Sequence, residues 1–285
     1  MRPRQLSPIP LSERSNMTEQ ATQQDAARRA TELFQRGFPR AAIDVLEAEL
    51  ARQPEEGALW RLRAVLLQRE GRQAEAFDNI QRALPLVPLG YEGLLVLAAG
   101  YVRHGHRASA ASLLSDLAAE AEFPAELWEP LYNGFCSLER WQAALAVCRR
   151  AARQRPDDDA ICFAAANTLA RLGRPPQLSL AMLRRAIGLN PSEPRYRISL
   201  AMQLAKMGQI DDAYRTFTEL SRTEVEGINC RCCLHKGLQL CIERGDVIRS
   251  SWLAGRLAAI SLTRRQSSCP PTSADSPSSD QEDQQ

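Results

Sequence analysis

Residues 127–156 read LWEPLYNGFCSLERWQAALAVCRRAARQRP, and the spacing of these residue types recurs along the chain. Trp128 and Pro156 are 28 residues apart, as are Trp60 and Pro88. A repeat must be sought before any other pattern, because a missed period leads to the wrong fold. The stretch therefore raises the question of how far its spacing extends.

Three sets of residues recur with a step of 34 residues. The glycines of the first set leave one position empty, and Glu139 occupies it. The sets are Gly37, Gly71, Gly105 and Gly173; Ala42, Ala76, Ala110 and Ala144; and Pro54, Pro88 and Pro156. Because the three sets share one period, the chain is predicted to consist of repeats of this length.

The step and the residue types resemble the tetratricopeptide repeat, W-x2-L-G-x2-Y followed by A-x3-F, A and P. The best match is the set Trp128, Leu131, Tyr132, Phe135, Ala144, Cys148, Ala151 and Pro156. Tyr132 departs from the family's small residue, and Cys148 departs from its aromatic. The resemblance implies an all-α fold, a right-handed superhelical solenoid of antiparallel helix hairpins.

The repeat register divides the chain into four kinds of segment. A disordered leader is predicted at 1–22, a degenerate capping hairpin at 228–262, and a disordered tail at 263–285, where Ser, Pro and acidic residues dominate. The register leaves open whether translation starts at Met1 or Met17. The six repeats are predicted at 23–56, 57–90, 91–124, 125–158, 159–193 and 194–227.

Each predicted unit has a physical reason to form a helix hairpin. Glycine supplies the left-handed conformation that ends the first helix, and proline cannot continue the second. Alanines at the eighth and twentieth positions allow close helix contact. One hairpin cannot bury its apolar face alone, so neighbouring hairpins stack.

Charge and composition exclude several classes of function. Against 34 acidic residues the chain has 36 basic ones, spread along its length, which does not indicate nucleic-acid binding. It has no long apolar run or signal-peptide pattern, and its eight cysteines show no even extracellular framework, so we expect a cytoplasmic protein. Only Lys206 and Lys236 are lysines, and such arginine-rich usage is typical of a GC-rich bacterial genome.

The sequence contains no pattern typical of an enzyme. Its three histidines are His104, His106 and His235, and the first two flank the predicted turn at Gly105, where exposed histidines are expected. No phosphate-binding glycine loop, HExxH or GxSxG motif is present. We therefore predict no catalytic residues, no cofactor and no enzymatic activity.

The stretch CRCCLHKGLQLC at 230–241 is the richest in metal-ligand residue types: Cys230, Cys232, Cys233, His235 and Cys241. Taken as C-x-CC-x-H, its spacing differs from the paired knuckles typical of structural zinc, although two residues separate Cys230 from Cys233, as in C-x2-C. On a helix, Cys230, Cys233, Leu234, Leu238 and Cys241 share one face, and buried cysteine behaves as a small hydrophobe. The pattern favours core packing over zinc, and no metal site is predicted.

The resemblance also implies where a ligand binds. In the family, positions 2, 5, 9, 12 and 13 of each repeat lie on its first helix and face a concave groove; here they include Ala58, Arg61, Val65, Glu92 and Glu126. Carried over, they include Asn133 and Asn167 at one position of adjacent repeats, where amides can bind a peptide backbone; a solvated polar position is the alternative. The predicted groove residues are Arg61, Arg69, Arg103, Asn133, Phe163, Asn167, Arg171, Ile198 and Met202.

Together these expectations indicate a non-catalytic protein-interaction scaffold that binds a peptide or protein segment. Phe163, Ile198 and Met202 are expected to give apolar contact, and the four arginines to meet acidic side chains. The carboxylate-clamp pattern of chaperone-binding relatives is not matched. Two alternatives remain open: an accessory subunit of a separately encoded transferase or secretion or assembly machinery, and self-association through the end hairpins, with Trp252 as the contact.

Overall fold

The computed structural model of the chain describes residues 24–262. The leader predicted at 1–22 and the tail predicted at 263–285 lie outside the described residues. Between residues 24 and 262 all regular secondary structure is helical, with no strand. The all-α fold class of a tetratricopeptide-like solenoid is confirmed.

The chain divides into two compact units, Met1–Arg155 and Pro156–Gln285. The described part of the first unit consists of helix hairpins, in which consecutive helices pair. Its helices are α1 (24–35), α2 (Pro39–Arg52), α3 (Gly57–Arg69), α4 (Gln73–Ala83), α5 (Gly90–Arg103), α6 (Arg107–Ala119), α7 (Trp128–Ser137) and α8 (Trp141–Gln154), with a 3-10 turn at Ala125–Leu127.

The second unit continues the same alternation and adds one short helix. Its helices are α9 (Asp159–Arg171), α10 (Pro176–Leu189), α11 (Pro194–Lys206), α12 (Ile210–Thr218), α13 (Arg222–Glu226), α14 (Arg231–Glu243) and α15 (Val247–Leu262). The short α13 is held by a capping box of Ser221 and Glu224, and Arg197 Nη2 donates to Glu224 Oε1 at 2.5 Å. This insertion places Gly245 37 residues after Gly208 instead of 34.

The turn inside every hairpin has the same backbone geometry. In six hairpins a glycine in the turn between the two helices has a positive φ, between 60° and 83°. These glycines are Gly37, Gly71, Gly105, Gly173, Gly208 and Gly245. Glu139 adopts φ 60° at the equivalent place in the fourth hairpin. There Glu139 N–H donates to Cys136 O at 3.0 Å and Arg140 N–H to Phe135 O at 2.9 Å, which is a Schellman C-cap.

The turn of the fifth hairpin is one residue longer than the others. Three residues separate the paired helices in every other hairpin, whereas four, 172–175, separate α9 from α10. Pro175 and Pro176 supply the extra residue and begin α10. The irregularity is local, because the next turn, at Gly208, again has three residues.

The recurring alanines are fully buried. Ala42, Ala76, Ala110 and Ala144 are each 0% exposed, and the larger Trp60 and Trp128 pack nearby in the buried core. At Gly100 the approach is closer still, since an added Cβ would lie 1.8 Å from Phe77 Cδ2. Small residues therefore set the helix separation, as the repeat pattern predicts.

None of the described helices has the length and apolar character that a membrane crossing requires.

Candidate functional site

A cleft of about 800 Å³ opens on the first unit, along the first helices of its hairpins. It is lined by α1, α3, α5 and the 3-10 turn. Five of the sequence-predicted groove positions contribute to its wall: Ala58, Arg61, Val65, Glu92 and Glu126. The floor is apolar because Leu59, Leu62, Val65 and Leu89 lie along it.

The ionisable residues of the cleft are mostly acidic. Three carboxylates, Glu56, Glu92 and Glu126, line it against one guanidinium, Arg61. Glu56 also caps α3, where its side chain accepts from the Ala58 N–H at 3.3 Å. The cleft therefore offers an apolar floor with an acidic wall.

The three predicted arginines of the first unit are already partnered. Arg61 Nη1 donates to Pro88 O at 2.7 Å, and Arg69 Nη2 donates to Glu92 Oε1 at 2.6 Å. Arg103 Nη1 makes a longer bond to Gln73 Oε1, at 3.4 Å. Arg61 and Arg69 therefore each join neighbouring hairpins, and their contact with acidic ligand side chains stays a prediction.

Asn133 lies on α7 and is exposed, as the repeat register predicts. Its side-chain amide has no hydrogen-bond partner within the described residues. Its backbone carbonyl accepts a hydrogen bond from Ser137 Oγ at 2.9 Å. Its amide thus keeps both donor and acceptor capacity toward solvent or a ligand. Asn133 does not line the large cleft.

The predicted groove residues of the second unit differ in exposure. Phe163, Asn167 and Arg171 are half-buried. By contrast, Ile198 is 6% exposed and Met202 7%, and both belong to the core cluster that includes Leu234 of α14. Ile198 and Met202 are core residues and not apolar ligand contacts, because α11 packs against α14.

Phe163 is also held by the structure around it. Its ring lies 4.9 Å from that of Tyr196, whose hydroxyl donates to Asp159 Oδ2 at 2.6 Å. Asn190 Nδ2 donates to the same oxygen at 3.0 Å. The Tyr196 hydrogen bond lowers the pKa of Asp159, and burial and the carboxylate together raise the pKa of the Tyr196 phenol. This network joins α9 to α11 and to the end of α10.

A second cavity, of about 340 Å³, was not predicted from the sequence. It lies between α6, α7 and α8 and is lined by Trp128, Phe135 and Val147. Trp128 and Phe135 are core residues, since they are 6% and 1% exposed. The missed signal was the small side chains opposite them, Ala118, Ala143 and Ala146, which do not fill the space.

The cysteine-rich stretch separates into two parts. Cys241 is fully buried, so core packing is confirmed for it. Cys230, Cys232 and Cys233 are half-buried instead, because Cys230 precedes α14 as its N-cap and the other two lie in the first turn. Cys230 and Cys233 nevertheless pack against the core cluster that contains Leu234 and Cys241, as the predicted helix face requires.

Comparison with known proteins agrees with this architecture. A family model described as Tetratricopeptide repeat matches residues 14–187. The structure of PilW, a type IV pilus biogenesis factor, is similar with a TM-score of 0.60 and 15% identity, covering 69% of this chain and 91% of PilW. No curated protein sequence matches.

Two further solved structures match more distantly. YrrB, a TPR protein described as having an unusual peptide-binding site, has a TM-score of 0.47 at 16% identity, over 60% of this chain and 88% of YrrB. MamA from Desulfovibrio magneticus RS-1 has a TM-score of 0.48 at 15% identity, over 59% and 97%. At these identities the likeness to PilW concerns the fold alone.

Proposed function

Because the chain belongs to the tetratricopeptide repeat family, we propose that it is a non-catalytic interaction scaffold whose first-unit cleft binds an extended protein segment. The observation that carries this proposal is the cleft of about 800 Å³ along α1, α3 and α5. Ligand sites are typically concave, largely apolar and of this size. Five positions that the family turns toward its groove line the same cleft.

The chemistry of the cleft defines the segment. Leu62 and Val65 favour apolar side chains, and the excess of carboxylates favours Lys or Arg over Asp or Glu. Arg69 pairs with Glu92, which leaves Glu56 and Glu126 against Arg61, so the excess is one negative charge. The ligand proposed is an extended segment with apolar side chains and a neutral or positive charge.

Asn133 on the first unit and Asn167 on the second are proposed as separate contacts to a partner's backbone. Each is a helix-interior asparagine, which disfavours the helix slightly. Neither side chain has an internal hydrogen-bond partner within residues 24–262. Asn133→Ala or Asn167→Ala is expected to weaken partner capture with little change in thermal unfolding.

Selection from a random peptide library on the purified chain tests the cleft. Peptides enriched in apolar and basic residues are expected, and Ala58→Arg should weaken them at least about tenfold by obstructing the cleft. Ala51→Arg, on an exposed position of α2 outside the cleft, is the matched control. Selected peptides that bind the Ala58→Arg variant as tightly as the unaltered chain would contradict the proposal.

A second role, self-association through the seventh hairpin, is favoured by one observation. Ile242, Val247 and Ile248 are 63%, 78% and 65% exposed, although all three are large and apolar. Trp252 is half-buried beneath Arg249, so the exposed trio is a better contact than the tryptophan. Sedimentation should show dimers that Val247→Asp abolishes, and a monomer at all concentrations would exclude this role.

The accessory role beside a separately encoded transferase or secretion machinery stays a prediction. It differs from the cleft proposal in needing a dedicated partner protein. If one such enzyme or assembly component co-purifies with the chain, and this is lost in the Ala58→Arg variant, the cleft is the site of the accessory role. No residue of the described chain distinguishes them further.

A further inference from the structure

Three cysteine sulfurs converge at the start of α14. The Sγ atoms of Cys230, Cys232 and Cys233 all lie within 4.8 Å of one another. The Sγ atoms of Cys230 and Cys232 lie 2.8 Å apart. Within residues 24–262 this is the one group of three or more His, Cys, Asp or Glu side chains whose ligand atoms converge in this way.

The backbone explains the convergence. Cys230 is the N-cap, and its sulfur accepts the N–H of Cys233 at 3.4 Å. Side chains at the N-cap and at the third helical residue face each other across the first turn, as in a capping box. Cys232 lies between them in sequence, and its side chain closes the group.

We propose that Cys230, Cys232 and Cys233 form a three-thiolate site for a thiophilic cation, Zn²⁺ or Cu⁺. Soft thiolate ligands select these two ions. Zinc–sulfur bonds are about 2.3 Å long, so three sulfurs around one ion lie about 4 Å apart, within the spread observed. A side-chain rotation that separates Cys230 from Cys232 brings the short pair to this spacing.

Charges around the cysteines fit an anionic ligand set. Burial and the nearby charges of Lys236 and Arg171 lower the pKa of Lys206 on α11. Cys232 and Cys233 lie close enough to Lys206 to oppose this lowering. A site of three thiolates keeps a negative charge after binding either cation, and these three basic side chains offset it.

The alternative is that the cysteines only cap and pack the helix. Serine is among the best N-cap residues, so Cys230→Ser should preserve the cap. It removes a metal ligand without removing the structural role. The site belongs to the second unit, so its test is independent of the first-unit cleft.

The experiment titrates the reduced, metal-free full-length chain with Zn²⁺ and, separately, with Cu⁺, each in competition with a coloured chelator. One ion per chain is expected, and the ratio of the two affinities identifies the ion. Metal binding should weaken by at least about tenfold in each of the variants Cys230→Ser, Cys232→Ser and Cys233→Ser. Loss of a residue that only hydrogen-bonds to a metal ligand already weakens binding by about that factor.

Cys136→Ser, which removes a half-buried thiol of the first unit, is the matched control and should leave the affinity unchanged. Metal should also raise the unfolding temperature of the unaltered chain and not that of Cys230→Ser. The proposal is overturned if the unaltered chain binds neither ion more tightly than the three serine variants, or if Cys136→Ser weakens binding equally.

Discussion

Glu139 is the one residue that breaks the glycine pattern of the hairpin turns, and replacing it with glycine should stabilise the first unit. It adopts φ 60°, where a side chain with a Cβ costs about 1–2 kcal/mol. Glycine removes that strain but loses about 0.5–1 kcal/mol through its freedom in the unfolded chain. The difference predicts a gain of about 1 kcal/mol for Glu139→Gly.

Two control variants separate backbone conformation from other effects. Glu139→Ala keeps a Cβ at positive φ while it removes the charge, so it should leave stability nearly unchanged. Gly71→Ala introduces a Cβ at φ 77° in a site with no atom within 4 Å. Its cost is therefore conformational and should be about 1 kcal/mol.

Tryptophan fluorescence during urea unfolding measures these changes in the first unit. Trp60, Trp128 and Trp141 lie in that unit, so a Trp252→Phe background removes the remaining signal. The expected order of midpoints is Glu139→Gly, then the unaltered chain and Glu139→Ala together, then Gly71→Ala. A midpoint for Glu139→Gly at or below that of the unaltered chain would refute the argument.

Three further substitutions probe packing and charge. Phe135→Ala should cost about 3–5 kcal/mol in the same urea assay, because this 1% exposed ring fills the core between α7 and α8; a cost below about 1 kcal/mol would contradict its burial. Gly100→Ala should also destabilise the first unit, since its Cβ would lie 1.8 Å from Phe77, and an unchanged midpoint would show that the ring moves freely. The lowered pKa of Asp159 means that its contribution is complete above about pH 4 and is lost as pH falls through the folded value. Tyr196→Phe should reduce this acid sensitivity in thermal unfolding scans, and an unchanged pH dependence would contradict the assignment.

The sequence predicts the hairpins well because each depends on local residue types. Recurring alanines, a turn glycine and a terminal proline define two helices and the turn between them without reference to distant residues. Even the exception was visible, because Glu139 occupies the empty position of the glycine series and still adopts the turn conformation.

The site is harder to predict because it depends on how neighbouring hairpins meet. Arg69 was expected to be available, but Glu92, 23 residues later, pairs with it. Met202 was placed on the groove by analogy with regular repeats. In the structure α13 is inserted before the last hairpin, and α14 of that hairpin covers Met202. The cysteines at 230–233 were noticed but assigned to one face of a regular helix, whereas Cys230 is the N-cap and its sulfur lies beside those of Cys232 and Cys233.

The most direct test of the interaction role is site-specific photo-crosslinking in the native cell. A photoreactive benzoylphenylalanine replaces Leu62 on the floor of the cleft or, as the control, Ala51 on an exposed face of α2. The account predicts that the Leu62 probe links to one apolar, non-acidic segment of a partner protein and that the Ala51 probe does not. Equal crosslinking from both positions, or none from Leu62, would contradict it.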